Sequence, residues 1–213
     1  MRSHQVYTDC GSSPAVSSLT ADPEERGPAV ARTVGSLAPV VTLGAIFLSI
    51  LVSDSFSWAT SALSDLGVAA ETALLFNGGL VAGGLLGLAY SYALWRAAAD
   101  FVARATAATV ALAVVLMGLV GVFVSGHPFH FPVALGFYLF VTVSLVLDGA
   151  GRWSQRVGKV SVVLGVAHLA GWIVWVVGPR FGTGLAVPET LGAFVFAGWV
   201  LVLSPVALGR DLV

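Results

Sequence analysis

Six apolar runs separated by short polar segments constrain this chain more than any other feature of its sequence. Each run is close to the roughly 20 residues that an α-helix needs to cross about 30 Å of hydrocarbon. The runs are continuous, whereas the strands of a membrane β-barrel alternate in polarity and need only about 10 residues. The predicted spans cover residues 34–52, 73–95, 106–125, 131–147, 157–177 and 190–208. The sequence therefore predicts an all-α fold, a six-helix transmembrane bundle.

The composition also indicates a membrane environment. Hydrophobic residues make up 57% of the 213 residues and charged residues only 10%, whereas about 25% of the residues of a soluble domain are charged. The excess apolar surface must face lipid, so membrane lipid is the expected partner. The net charge of −1 provides no basic field, so no nucleic-acid partner is expected.

The first part of the chain differs from the rest. Residues 1–33 are rich in Ser, Pro, Gly and acids and are predicted to form a disordered cytoplasmic tail, and residues 34–213 a single six-span domain. The tail holds the single cysteine, Cys10, which excludes an intramolecular disulfide and any cysteine-rich metal site.

The distribution of basic residues predicts the orientation. With the N-terminus inside, nine of the ten Lys and Arg residues fall on the cytoplasmic side and only Arg180 falls outside. We therefore expect a multi-pass protein of the cell membrane with both termini cytoplasmic. The segments 53–72, 126–130 and 178–189 are then expected on the outer face.

The stretch Ser53–Asn77 is the longest polar interruption between apolar runs, and it contains three acids and no basic residue. Its first part, Ser53–Gly67, is interpreted as a short interfacial helix between spans 1 and 2. On a helix, the spacing of Asp54, Ser57, Ser61 and Ser64 places them on one face. The alternative is that Ser61, Ser64 and Asp65 line a polar pocket. Asn77, near the start of the second span, is expected either to bond another helix or to floor the same pocket.

Glycines repeat along the second span. Gly79, Gly83 and Gly87 follow one another at intervals of four, which puts them in a strip on one helix face. In lipid such a strip permits close approach of another backbone. The strip is therefore predicted to be a helix-packing surface, either within the chain or between copies in a homo-oligomer.

The histidines raise the question of a metal. His127, His130, His168 and Asp65 are zinc-type ligands. His168, however, lies about 14 Å from each end of its span, since nine residues separate it from either end at 1.5 Å each. His127 and His130 lie at the outer edge. We therefore predict no metal and no cofactor, with His168 either bonded to a neighbouring helix or in contact with a substrate or proton path.

Four segments carry a family resemblance. They are FSWATSALSDLG at Phe56–Gly67, LFNGGLVAGGLL at Leu75–Leu86, GVFVSGHPFHFPVALGFYLF at Gly121–Phe140 and GLAVPETLGAF at Gly184–Phe194. Their order and their positions relative to the spans resemble the DUF998 family of prokaryotic integral membrane proteins, over about residues 34–208.

The resemblance implies a set of recurring polar positions rather than a known activity. These positions correspond to Ser64, Asp65, Asn77, His130, Pro188 and Glu189. Similar proteins often carry an acidic FPE-type segment after the third span, where this chain reads FVSG at Phe123–Gly126. This departure argues against an enzymatic role.

Together, these lines of reasoning predict a shared pocket on the outer face. The expected lining residues are Ser61, Ser64, Asp65, Asn77, His127, His130, His168 and Glu189. The main functional hypothesis is a membrane protein that binds or organises a lipid or membrane partner through this pocket. One alternative is an intramembrane metal-dependent hydrolase or lipid-modifying enzyme, with Asp65, His130 and Glu189 as candidate catalytic residues, and another is a small transporter.

Overall fold

The computed structural model describes residues 23–178 and 182–207, and all regular secondary structure within them is helical. Cys10, Arg180 and the predicted tail up to residue 22 lie outside these residues. The α-helices are α1 Pro23–Gly35, α2 Ala38–Val52, α3 Ala73–Ala97, α4 Phe101–Val122, α5 His130–Gly151, α6 Arg156–Val177 and α7 Ala186–Gly198.

Six segments of the described chain are long and apolar enough to cross a membrane, which confirms the predicted six-helix bundle. They are Arg26–Val52, Ala73–Ala97, Phe101–Val122, His130–Gly151, Arg156–Val177 and Ala186–Leu203. The first combines most of α1 with α2, and the last combines α7 with a π-helix, Trp199–Leu203. The chain is a multi-pass membrane protein.

The first span begins earlier than the sequence predicted. Residues 23–33 are helical, so the prediction of disorder is wrong for that part of the tail. The end of α1 is packed against α3, where a Cβ atom on Gly35 would lie 2.5 Å from the Tyr90 backbone nitrogen. A break at residues 36 and 37 separates α1 from α2, whose first turn contains Pro39. Proline lacks an N–H group, so it starts a helix more readily than it continues one.

The bundle closes by bringing its last helix back to its first ones. Each helix from α2 to α6 packs against the next along the chain. From α7, Phe194 packs against Phe47 of α2 with ring centroids 5.7 Å apart, and Phe196 packs against Phe137 of α5 at 6.1 Å. The core between these helices includes Val141, Leu145 and Trp199, which are fully buried.

The glycine strip of α3 is used inside the chain. A Cβ atom at Gly79 would overlap Ala45 of α2, one at Gly83 would overlap the Thr42 hydroxyl, and one at Gly87 would lie 2.6 Å from Val114 of α4. All three glycines are buried. The strip therefore packs α3 against α2 and α4 within the chain.

The predicted helix over Ser53–Gly67 is wrong in extent. Only Leu63–Gly67 is helical, as a single 3₁₀ helix, and the residues before it form turns and extended chain. The reason is a competing set of partners in the loop between α6 and α7. The backbone amides of residues 183–186 donate in pairs to the carbonyls of Ala59 and Ser61, at 2.8 to 3.1 Å. Carbonyls used in this way cannot also accept the bonds of a continuing helix.

Candidate functional site

The paired loops cover one end of the bundle, which we call the Glu189 end. Besides the backbone bonds to residues 183–186, the indole of Trp175 donates to the Gly184 carbonyl at 3.1 Å. The other end, where α5 meets α6 and the π-helix, is called the Asp148 end. A polar site lies under the paired loops, and a second polar network lies at the Asp148 end.

Two carboxylates hold the start of the 3₁₀ helix at the Glu189 end. The Ala62 amide donates to Asp65 Oδ2 at 2.8 Å, and the next amide, that of Leu63, donates to Glu189 Oε2 at 2.6 Å. Amides at a helix start have no partner within the helix, so acidic side chains are well placed there. Glu189 comes from the first turn of α7 and is only 8% exposed. The bond to Leu63 therefore ties the first loop to the last span.

A cavity of about 50 Å³ lies beneath this junction and is called the head cavity. Its wall contains the polar side chains of Ser64, His130 and Glu189, together with Thr42 and Tyr138. The remaining lining residues are apolar: Ile46, Leu63, Phe76, Leu80, Met117, Val120, Ala134, Phe137 and Ala193. The head cavity therefore has a few polar side chains in an otherwise apolar lining, and it lies within the helix bundle.

The polar groups of this wall have spare hydrogen-bonding capacity. His130 Nδ1 lies 2.7 Å from the Phe123 carbonyl. A carbonyl only accepts, so Nδ1 carries the proton and Nε2 of the neutral ring is an acceptor. Among the described residues, no hydrogen-bond partner reaches that Nε2, the Ser64 hydroxyl or the second Glu189 oxygen. The Thr42 hydroxyl is buried and also lacks a partner there.

Two of the predicted pocket residues hold the loop instead of lining the head cavity. Asp65 bonds the Ala62 amide and lies on the exposed side of the 3₁₀ helix. The amide nitrogen of Asn77 donates to the Gly67 carbonyl at 2.8 Å, which fastens the end of that helix to α3. Both residues therefore shape the covering loop.

Ser61 and His127 also lie off the head cavity. The Ser61 hydroxyl accepts the Ser57 amide at 3.1 Å within the first loop. The His127 ring stacks on Phe123 with centroids 4.9 Å apart, and its Nδ1 accepts the Phe129 amide. These contacts fix local turns.

His168 is bonded within the bundle, separately from the head cavity. The Thr142 hydroxyl donates to the Tyr138 carbonyl at 3.2 Å, so His168 Nδ1, 2.8 Å from that hydroxyl, is the donor to it. His168 Nε2 accepts the Trp172 indole N–H at 3.2 Å. Both ring nitrogens are thus satisfied in the neutral form. The bond to Thr142 joins α6 to α5, and a bond to a neighbouring helix was the first of the two hypotheses for His168.

The four possible metal ligands are not brought together. Within residues 23–178 and 182–207, no group of three or more His, Cys, Asp or Glu side chains has the geometry to hold a metal ion. Asp65, His127 and His168 are bonded at three different places, and of the four only His130 lines the head cavity in the described part of the chain. Within the described part of the chain, the arrangement of these four residues does not add support to the metal hypothesis.

Sequence reasoning missed two residues of the head cavity and the whole network at the Asp148 end. Thr42 and Tyr138 lie within apolar spans, and nothing in a single sequence tells which way a hydroxyl there points. At the Asp148 end, the carboxylate of Asp148 accepts Arg152 at both oxygens, the Ser161 hydroxyl at 2.8 Å and the Trp199 indole at 2.9 Å. The i, i+4 spacing of Asp148 and Arg152 was the available signal.

Comparison with known proteins places the chain in a family. A family model described as a protein of unknown function, DUF998, matches residues 36–205, and the chain belongs to this family. Searches of curated proteins and of solved structures each return no significant match.

Proposed function

We propose that this DUF998 protein binds an amphipathic membrane molecule whose small head group is neutral or cationic and donates hydrogen bonds. The observation that carries the proposal is the wall of the head cavity. There Ser64, His130 and Glu189 present acceptor atoms that have no partner among the described residues. Ser64 and Glu189 are buried, buried polar groups are nearly always bonded, and a ligand is one way to supply the missing hydrogen bonds.

The charge of the wall sets the class of head group. Glu189 lines the head cavity, and among the residues that the structure describes no Lys or Arg does. A phosphate or carboxylate head only accepts hydrogen bonds, so it would face the acceptor atoms of Glu189 and His130 without a donor between them. A hydroxyl or a primary ammonium instead donates to the free carboxylate oxygen and to His130 Nε2. The proposal therefore excludes anionic heads.

The size of the cavity limits the head group. A volume of about 50 Å³ holds only a few water-sized groups, since one water needs about 10–15 Å³ of such space. The hydroxyl end of a monoacylglycerol or the ammonium of a long-chain amine has this size. The hydrocarbon chain of such a molecule must therefore lie outside the head cavity.

Binding is proposed in preference to catalysis. A serine nucleophile needs a base within hydrogen-bond reach, and Ser64 has no hydrogen bond to His130 or Glu189 among the described contacts. The hydrolase and transporter alternatives have no observation of this kind in their favour.

We also propose that the Glu189 end faces the outside of the cell. The support is the distribution of charge. Arg96, Arg104, Arg156 and Lys159 lie at or beside the helix ends of the Asp148 end, and cytoplasmic loops carry an excess of basic residues. Labelling an introduced cysteine at exposed Ser55 in a Cys10→Ser background with an impermeant maleimide tests this orientation. Labelling of intact cells supports it, and labelling only after lysis overturns it.

The binding proposal is tested by thermal unfolding of the protein in phosphatidylcholine nanodiscs. Three probes share one chain: monooleoylglycerol, oleylamine and oleic acid. We expect at least one of the first two to raise the unfolding midpoint, because ligand bound only to the folded state stabilises it by about 2.7 kcal/mol at 100 times Kd. Oleic acid is expected to have no effect.

The matched variants are Glu189→Gln and Asp65→Asn. The Leu63 amide requires an acceptor, so in Glu189→Gln it donates to the side-chain oxygen of the introduced glutamine. The NH₂ group of that glutamine then faces the head cavity. A donor then replaces the acceptor that the head group needs. We expect the midpoint shift to fall to about half in Glu189→Gln, as tenfold weaker binding requires, and to persist in Asp65→Asn. Equal shifts in the two variants, or an equal shift with oleic acid, would contradict the proposal.

A further inference from the structure

An apolar groove adjoins the head cavity on its membrane side. It lies between α5, α6 and the start of α7, has a volume of about 320 Å³ and is called the lateral groove. Its walls are formed mainly by aliphatic and aromatic side chains: Phe131, Leu135, Leu139, Leu169, Trp172, Ile173, Val176, Val177 and Leu185. The polar residues on its wall, Tyr138, Thr142 and Glu189, lie toward the bundle.

The lateral groove and the head cavity share part of their walls. Ala134, Tyr138 and Glu189 line both. The Tyr138 hydroxyl donates to the Glu189 carbonyl at 3.3 Å, and its ring packs against Trp172 with centroids 4.7 Å apart. Tyr138 therefore stands between the two spaces, and the Glu189 side chain borders each of them.

The lateral groove opens toward lipid. α6 is the most peripheral span, with only 17% of its apolar window buried. Groove residues on both walls are exposed, Leu139 at 46% and Ile173 at 53%. Along α5 the groove runs from Phe131 to Thr142, which is about 16 Å at 1.5 Å per residue. That length is about half of a 30 Å hydrocarbon core, or one leaflet.

From these features we infer that the lateral groove holds the single hydrocarbon chain of the ligand, with its head reaching the head cavity past Tyr138. The inference rests on the proposed function and adds the place and number of the chains. The ligand reaches the site sideways from one leaflet. A chain already in the membrane gains little by moving into an apolar groove, so the head cavity supplies the selectivity and the groove supplies the access.

The test locates the chain directly. A photoreactive analogue of whichever probe raises the unfolding midpoint, monooleoylglycerol or oleylamine, carries a diazirine at mid-chain and is added to nanodiscs holding the full-length protein. It is activated by light, and the labelled residues are mapped by mass spectrometry. We expect labelling of α5 and α6 residues of the lateral groove that the same probe without the diazirine suppresses, and labelling elsewhere that it does not suppress. Competable labelling confined to another surface, such as α2 and α3, overturns the inference.

A matched pair of variants tests the groove itself. Leu139→Trp fills it, whereas Leu112→Trp makes the same change on α4 at a residue of similar exposure, 48% against 46%. We expect Leu139→Trp to weaken competable labelling at least about tenfold and Leu112→Trp to leave it unchanged. Equal labelling of the two variants argues against a chain in the groove.

The two proposals fail in different ways. If the head cavity binds no such ligand, competable labelling is absent everywhere and neither monooleoylglycerol nor oleylamine raises the unfolding midpoint. If only the location of the chain is wrong, the midpoint shift remains sensitive to Glu189→Gln while the competable label lies outside the lateral groove.

Discussion

Two buried carboxylates at opposite ends of the bundle have different surroundings. Asp148, 4% exposed, has a guanidinium, a hydroxyl and an indole bonded to its two oxygens. Glu189, 8% exposed, has one backbone amide on one oxygen, and its side chain borders the head cavity. A carboxylate whose acceptor sites are filled from within the chain contributes to structure. A carboxylate with a free oxygen in a cavity has the means to bind something else.

Side chains near the Asp148 end also bond the π-helix that follows α7. The Leu203 carbonyl accepts Arg152 at 2.8 Å and the Val200 carbonyl accepts the Tyr90 hydroxyl at 2.6 Å. Side chains of α5 and α3 thus donate hydrogen bonds to backbone carbonyls at the end of the last span. Because these bonds join three helices, the Asp148 end is expected to be the more rigid of the two.

The largest expected effect is that of Asp148→Ala. The change leaves Arg152 without its anionic partner in a buried setting, where breaking an ion pair costs about 3–5 kcal/mol. Reversible unfolding in detergent micelles measures the free energy of unfolding. Replacing both partners, as Asp148→Leu with Arg152→Leu, is expected to cost less than Asp148→Ala alone. A loss below about 1 kcal/mol for Asp148→Ala would show that the two ends do not differ as described.

The next effect concerns the glycine strip of α3, which packs against α2 and α4. Gly83→Ala brings a Cβ atom into the Thr42 hydroxyl, and overpacking of this kind costs about 1–3 kcal/mol. Gly78→Ala on the same helix is the control, because nothing lies within 4 Å of its Cβ position, and it is expected to be neutral or slightly stabilising. Thr42→Ala should recover part of the loss in Gly83→Ala. Equal unfolding free energies for the two glycine variants would contradict the close packing.

The smallest expected effect on stability is that of Glu189→Gln. The oxygen of the introduced glutamine can still accept the Leu63 amide, so the unfolding free energy without ligand should change by less than about 1 kcal/mol. The same unfolding assay compares it with Asp148→Asn, which disturbs a filled network. Similar losses of unfolding free energy in Glu189→Gln and Asp148→Asn would indicate that the Glu189 carboxylate serves the structure, as the Asp148 carboxylate does.

The sequence predicted the spans well because hydropathy over about 20 residues depends little on tertiary contacts. The loop before Leu63 was mispredicted as a helix because its carbonyls pair with residues more than 120 positions away, and a local pattern carries no record of such a partner. Ser64, His130 and Glu189 were found through the positions that resemble the family. Thr42 and Tyr138 were not, because their place on the wall depends on how each helix is rotated about its axis.

The central claim is that Glu189 offers a free acceptor to a head group that donates hydrogen bonds. Native mass spectrometry of protein released from nanodiscs doped with monooleoylglycerol or oleylamine measures how much probe each chain retains. We predict one molecule of at least one probe per wild-type chain and about tenfold weaker binding in Glu189→Gln, since a hydrogen bond to a charged group contributes about 1.5–3 kcal/mol. Asp65→Asn should match the wild type. Equal retention by wild type and Glu189→Gln for both probes would contradict the claim.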